Sequence, residues 1–534
     1  MCINQHSDVA EGYKEWCRMM SKKIYKLLLT FLSLQLLVGC AGSPKKIEQK
    51  KAEEKTVTLR ILTMGEEPTN GMDSFYQQLD QMTREDLGCI VRFTYIPWGN
   101  EKQEIDSAIA SGEYDIYCNG VFSNYREKTA KNAFLDLKPY LGMVPELTKH
   151  YEQLDKAVLE ECEMNGKLYG LPQLDYKTSV RNGIFLYREE LCDKWGIEKV
   201  TDLDSMEQYL YTAKATDYQK YLMITDNRIW ECLFIILGGS DYLEITSIQD
   251  MPYAVIDIEN PKNVVCRMET EAFKKMLLYV SKWYRDGIID SDILGVTDNE
   301  ANRAIQMLLA DQKPCETNST LSAVEQNYIP ILYEKNPQWK WNFYYYSEKN
   351  PVYRCSLSND TCTSISSKCL YPEKAIQFIE LAHTNENYYD LLRYGVEGIN
   401  YEKKDGKILY ENISSKDRYT SWTGLSDLFM EKQIILPDEH WNTLVENFQK
   451  EHVWKEMTVG DHPLNGFELD YSNINKEELD KAWNVYMKPL VCGVTKDWEA
   501  DYEIAMEKMY EAGLKEYIEE IQKQVSAYYQ SKEN

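Results

Sequence analysis

The sequence predicts a mixed α/β protein built from more than one lobe, and three observations carry that prediction. Strand and helix periodicities alternate from residue 56 to residue 118. The chain has 534 residues, several times the usual size of one domain. Its composition, 43% apolar and 27% charged, supplies an ordinary globular core.

Thr56 to Leu62 alternates, with Val57, Leu59 and Ile61 on one side, and reads as a strand. Residues 73–86 set Phe75, Leu79 and Met82 on one helical stripe. Cys89 to Pro97 is again a strand, residues 100–111 are a helix carrying Ile105 and Ile109, and Tyr114 to Cys118 is a third strand. This order opens a doubly wound sheet. Such sheets hold ligands at the carboxyl ends of their strands, so the loops after Leu62, Pro97 and Cys118 are the first places to expect a site. Further along, Thr270 is placed to cap a helix with Phe273, Leu277, Val280 and Tyr284, ending at Gly287. Pro372 starts another, with Ile376, Ile379 and His383 following. Residues 498–529 repeat Tyr502, Met506, Tyr510, Tyr517, Ile521, Val525 and Tyr528 at helical spacing, a packing ladder.

The N-terminus speaks for compartment. Arg18, Lys22, Lys23 and Lys26 precede the apolar run Leu27 to Val38, which is short for a membrane span and laid out as a secretory signal. It ends in Leu37-Val38-Gly39-Cys40, like a bacterial lipobox, which makes residues 1–39 a signal peptide and Cys40 the lipidated residue. Met19 or Met20 fits a signal start better than Met1. Two acyl chains hold a protein stably on the outer face of the membrane. Residues 40–55 are then a polar tether.

Composition excludes several classes. A net charge of −26 argues against nucleic acid and anionic lipid as partners. There is no HExxH, CxxC or GxGxxG among the 534 residues. Beyond Cys40 stand eleven cysteines, an odd count with scattered spacing, read as buried thiols rather than a disulfide framework. Cys355, Cys362 and Cys369 are evenly spaced, but no His lies close by, so no metal site is expected there. The abundance of rings, with 40 Tyr and 12 Trp, points to a ligand that meets aromatic faces.

Several segments, collinear along the chain, carry a resemblance. They are the signal with its lipobox, Ser111-Gly112-Glu113-Tyr114-Asp115-Ile116, Ala133 to Leu137, and Asn165-Gly166-Lys167-Leu168-Tyr169-Gly170-Leu171-Pro172. Trp283 to Asp290, Tyr394-Gly395-Val396-Glu397-Gly398-Ile399-Asn400-Tyr401, Pro463 to Phe467 and Ala512 to Leu514 follow. Together they resemble the family 1 extracellular solute-binding proteins of ABC importers, in the large LipO-type lipoprotein branch. The resemblance implies a two-lobed periplasmic-binding-protein-like α/β fold of type II, with the ligand cleft between the lobes. It implies an oligosaccharide ligand, delivery to ABC transporter permease subunits, no cofactor, no catalysis and a monomer. Lobe crossings near Lys138, Tyr353 and Tyr410 assign 56–138 and 353–410 to one lobe, and 139–352 and 411–534 to the other. Some large relatives carry an Asp-rich calcium loop; Lys214 to Ile224 lacks it, and Asp298-Asn299-Glu300 lacks the ligand pattern, so no calcium is expected. The family motif has His where this chain has Asn400.

Sugars present apolar C–H faces and polar rims, so their sites pair flat rings with amides or carboxylates. Trp98, after a strand end, is either a platform or a core cap. Tyr117 and Asn119 share one strand face, either ligand-facing or core, and Asn124 and Tyr125 follow in the next loop. After Pro172, the resemblance puts second-lobe contacts at Gln173, Asp175 and Tyr176. Trp230 and Trp422 are candidates for the opposing ring. Glu397, between two glycines, reads as a turn residue. Trp283 and Trp483 read as core, and Trp339 and Trp341 as an edge strand. A glycan-cleaving enzyme is the competing class, with Glu66-Glu67 or Asp438-Glu439 its naive carboxylates. A sugar-sensing subunit and a peptide receptor are further alternatives.

Overall fold

The computed structural model describes residues 56–533 apart from interruptions, the longest at 173–182, 246–252, 347–360 and 452–462. Cys40 and the signal segment lie outside the described residues. The chain from Thr56 forms β1 (Val57–Met64), α1 (Met72–Leu87), β2 (Cys89–Ile96), α2 (Glu101–Ser111) and β3 (Ile116–Gly120), in the predicted order. β1 is central, paired in parallel with β2 from Val57 opposite Cys89 to Met64 opposite Ile96, and with β3 at Ile61 and Leu62. Ile61 to Met64 are all buried, because helices cover both faces of a parallel sheet. α1 buries Phe75 and Leu79 and stops at Gly88, whose φ of 62° lets its N–H return to the Thr83 and Arg84 carbonyls. β3 starts two residues later than the alternation predicts. The Asp115 carboxylate accepts from the Arg60 N–H (2.9 Å), while its own N–H donates to the Arg60 carbonyl, holding it ahead of the strand.

Two late segments complete this sheet. Thr361–Ile365 runs antiparallel to β3, and Leu171–Pro172 pairs with its far edge. The core beneath gathers Leu59, Phe75, Val91, Ile116, Leu147, Leu171, Ile376 and Ile379 into one cluster. That cluster corrects the expected crossing near Lys138. Residues 139–172 pack with the first lobe, since Leu147, Tyr151, Cys162 and Leu168 bury their side chains there.

The second lobe centres on Ile184–Arg188, flanked antiparallel by Cys315–Ser319 and Trp341–Tyr345. Alternation sends Phe185 and Tyr187 into one cluster, and Ile184 and Leu186 into another with Trp341, Tyr389, Tyr394 and Trp441. The helix Glu271–Arg285 is capped by Thr270, whose hydroxyl accepts from the Phe273 N–H at 3.2 Å. Trp283 is core, and its Nε1 donates to Glu207 at 2.6 Å. Trp341 opens an edge strand as expected, while Trp339 precedes it and lies under the Arg188 guanidinium. The C-terminal ladder is two helices, Trp498–Glu511 and Leu514–Glu533, separated at Gly513. Tyr502, Met506, Tyr517, Ile521 and Val525 are buried, but Tyr510 is exposed and its hydroxyl reaches Glu269. Nine of the ten described cysteines are buried. Burial pushes the Cys118 and Cys315 thiols up to about 12, so they behave as small core residues. Among the described residues, no helix is long and apolar enough to cross a membrane.

Candidate ligand site

β1, β2 and β3 are parallel, so their carboxyl ends share one edge of the sheet. Gly65 closes that edge by donating its N–H to the Ile96 carbonyl at 2.9 Å. A segment more than 300 residues away is stapled onto it through Asn400. The Asn400 side chain is 1% exposed; its Oδ1 accepts from the Val396 N–H (2.8 Å), and its Nδ2 donates to the carbonyls of Asn70 (3.2 Å) and Asp417 (2.7 Å). Asn70 Nδ2 donates in turn to the Asp417 carboxylate at 2.9 Å. Gly395 makes room for this hub. Its φ is +85°, and a Cβ there would sit 2.5 Å from Asn400 Oδ1. A neutral imidazole also carries one donor and one acceptor, the two kinds of group this position uses, which fits the His of the family motif.

Tyr419, two residues past Asp417, stacks on Phe75 with centroids 5.4 Å apart, and its hydroxyl lies 3.4 Å from that of Tyr95. Phe93 and Tyr95 stack beside them at 6.2 Å. Phe75, Phe93 and Tyr419 all belong to the buried core of the first lobe, so these rings pack the distant segment onto the sheet.

The predicted residues divide cleanly. Trp98, Asn124, Gln173, Asp175, Tyr176 and Trp422 lie outside the described residues. Tyr117 is a core residue: it is 3% exposed and its hydroxyl donates to the Ala108 carbonyl at 3.1 Å. Asn119 is on the same face, as alternation required, and spends its Nδ2 on Ser364 Oγ at 2.8 Å. Tyr125 stacks on Phe134 and donates to the Cys162 carbonyl at 2.7 Å. Trp230 belongs to a helix, Ile229–Ile236, that is apolar on nearly every side, and it packs edge-on to Trp483 and Phe273. All four side chains are buried against protein groups. Glu397 is exposed in a turn that Gly398 closes by donating to the Tyr401 carbonyl. The Asn70–Asn400–Asp417 hub was missed. Its only sequence signal is an Asn after two glycines, and its partners are set by tertiary contact.

Among the described residues, the naive carboxylates stand apart in role and exposure. Asp438 caps the helix Glu439–Glu451, its Oδ1 accepting from the Trp441 N–H at 3.2 Å, and burial raises its pKa. Glu439 and Glu67 are exposed, and Glu66 lies outside the described residues.

Comparison with known proteins extends over most of the chain. Residues 463–530 match the family described as "Domain of unknown function (DUF3502)". A carbohydrate ABC transporter substrate-binding protein of Streptococcus pneumoniae serotype 4 (strain ATCC BAA-334 / TIGR4) is 26% identical over 489 residues, covering 89% of this chain and 91% of the relative. Lipoprotein LipO of Bacillus subtilis (strain 168) is 20% identical over 431 residues, covering 75% and 78%. The crystal structure of an N-glycan transport solute binding protein from Streptococcus pneumoniae superposes with a TM-score of 0.68 at 21% identity, covering 89% of this chain and 100% of that one. That likeness fixes the two-lobed α/β fold. Over most of its length the chain is thus similar to extracellular solute-binding proteins of ABC importers, lipoprotein LipO among them.

Proposed function

We propose that this protein is an extracytoplasmic solute receptor that captures an oligosaccharide between its lobes and delivers it to an ABC permease. The observation that carries the reading is the match, over nine-tenths of both chains, to a carbohydrate substrate-binding protein. The parallel first sheet, whose strands end together at one carboxyl edge, supports it. The relatives are binding components of transporters rather than enzymes, and of the carboxylates singled out for cleavage Asp438 is a helix cap while Glu439 and Glu67 are exposed.

The test is a thermal-shift titration of the mature chain against neutral and acidic oligosaccharides and peptides. A ligand at 100 times its Kd stabilises the native state by about 2.7 kcal/mol. A saturable upward shift with one sugar class, with the sugar recovered intact, is expected. Shortened sugar, or a shift with peptides alone, would reject the reading.

Anchoring through Cys40 is part of the same proposal, supported by the basic n-region, the apolar run and Gly39 before the Cys. Cells given a labelled fatty acid are expected to label the native protein. Cys40→Ala should remove the label and release the chain into the medium; a labelled Cys40→Ala protein would sink the assignment.

A further inference from the structure

Among the described residues Leu370 is the most exposed large apolar side chain, at 81%, and Tyr371 beside it is exposed as well. A loose loop is not the reason. Ser366 donates its N–H to the Asp115 carbonyl at 2.9 Å, and Cys369 donates its own to the Ser366 carbonyl at 3.0 Å. Lys368 Nζ reaches the Ala110 carbonyl at 3.2 Å, and Lys374 Nζ donates to the Leu87 carbonyl. The Tyr371 carbonyl accepts from the Ala375 N–H at 3.0 Å, in the first turn of the helix Pro372–Thr384. Pro372 keeps Tyr371 itself out of the helical region. The turn is pinned at both ends and still turns two apolar side chains to solvent.

The same bonds fix where it lies. Lys368 rests against Gly112, on the approach to β3, while Lys374 rests against Gly88, just before β2. The sheet order is β2, β1, β3, so the stretch from Lys368 to Lys374 crosses the amino end of β1. Val57 opens β1, and the chain therefore enters the folded body beside Leu370 and Tyr371. Cys40 precedes Thr56 by 16 residues. Such a chain reaches at most about 55 Å. A lipidated Cys40 thus holds the body to the bilayer by the amino edge of its first sheet.

We infer that Leu370 and Tyr371 enter the bilayer interface beside the tether, so that the first lobe rests on the membrane by this edge. The inference rests on the Cys40 anchoring proposed above. Leucine gains by leaving water, and tyrosine suits the headgroup level, where its ring is covered and its hydroxyl stays wet. Two side chains are too few to bind a membrane alone, but the anchor supplies a high effective concentration. The contact is apolar rather than electrostatic. Lys368 and Lys374 are engaged with backbone carbonyls, and Glu113 and Glu373 are exposed on the same edge. A net charge of −26 likewise gives anionic lipid no general attraction. In this posture β1 runs away from the membrane. The carboxyl edge of the sheet, where such folds hold ligands, then faces the medium from which solute arrives.

The experiment replaces Tyr371 by the photoreactive p-benzoyl-L-phenylalanine in the full lipidated chain. Tyr486, 40% exposed on the second lobe, is replaced in the same way as the reference. Both chains are irradiated in cells and, after purification, in phosphatidylcholine vesicles. Lipid adducts are expected at residue 371 in about tenfold excess over residue 486. Adding phosphatidylglycerol to the vesicles should leave that yield unchanged. Leu370→Ser, at a side chain too exposed to matter for folding, should lower the yield at 371 about fivefold. Equal yields at 371 and 486, or a yield indifferent to Leu370→Ser, would overturn the inference and leave the anchor standing. So would a residue 371 that in cells joins a membrane protein rather than lipid, which would make the turn a docking surface for the permease. A native chain without an acyl group, joining vesicles no better than Cys40→Ala, would remove both readings.

Discussion

Replacing Lys313 by methionine is expected to destabilise the native state by about 3–5 kcal/mol. Lys313 and Glu316 form an ion pair at 2.9 Å with side chains 0% and 2% exposed, and Lys313 also donates to Thr225 Oγ1 at 3.2 Å. Removing the cation leaves a carboxylate in a medium that cannot solvate it. The pair itself is a weaker contribution than that number suggests, since desolvation consumed most of its attraction. Lys313→Met combined with Glu316→Gln should therefore recover most of the loss, because the amide oxygen can still accept from the Thr317 N–H now bonded to Glu316 Oε1 at 2.8 Å. Denaturant midpoints of the two singles and the double give the cycle. Additive losses would mean that the two charges do not depend on one another.

The second large effect is expected at Asn400. Alanine removes three side-chain hydrogen bonds and leaves the Val396 N–H buried without its acceptor, a loss of about 2–4 kcal/mol. Aspartate is the sharper test. It keeps the acceptor but turns a carboxylate toward the Asn70 and Asp417 carbonyls, with the Asp417 carboxylate bonded to Asn70 close by. Such a group has a folded-state pKa above its unfolded one. Its favourable, protonated contribution is complete below the unfolded carboxylate pKa and disappears as pH rises through the folded value. Asn400→Asp should thus show a melting deficit at pH 7 that shrinks as pH falls toward about 4. A deficit constant with pH would mean that the position is merely packed.

Much of the fold was legible because its determinants are local. The period of two in residues 57–62, the stripe of Phe75 and Leu79, the Thr270 cap and Pro372 each act within a few residues of themselves. The same logic correctly set Tyr117 and Asn119 on one strand face. It did not say whether that face meets ligand or core, since a sheet covered on both sides gives its two faces the same apolar character. Trp230 was unreadable for a related reason: in a helix apolar on nearly every side, no face announces itself. The crossing near Lys138 was misjudged because lobe membership is settled by strand pairing, here Leu171–Pro172 joining Thr361–Ile365 across nearly 200 residues.

By itself the sequence determined the α/β class, the opening β-α-β-α-β unit and the resemblance to solute-binding proteins, all of them properties of local pattern and segment order. The tertiary structure alone decided which polar groups are partnered. Asn70, Asn400 and Asp417 look like ordinary loop residues until folding brings them together. Whether a buried polar group finds a partner depends on what the distant chain places beside it, and no periodicity records that.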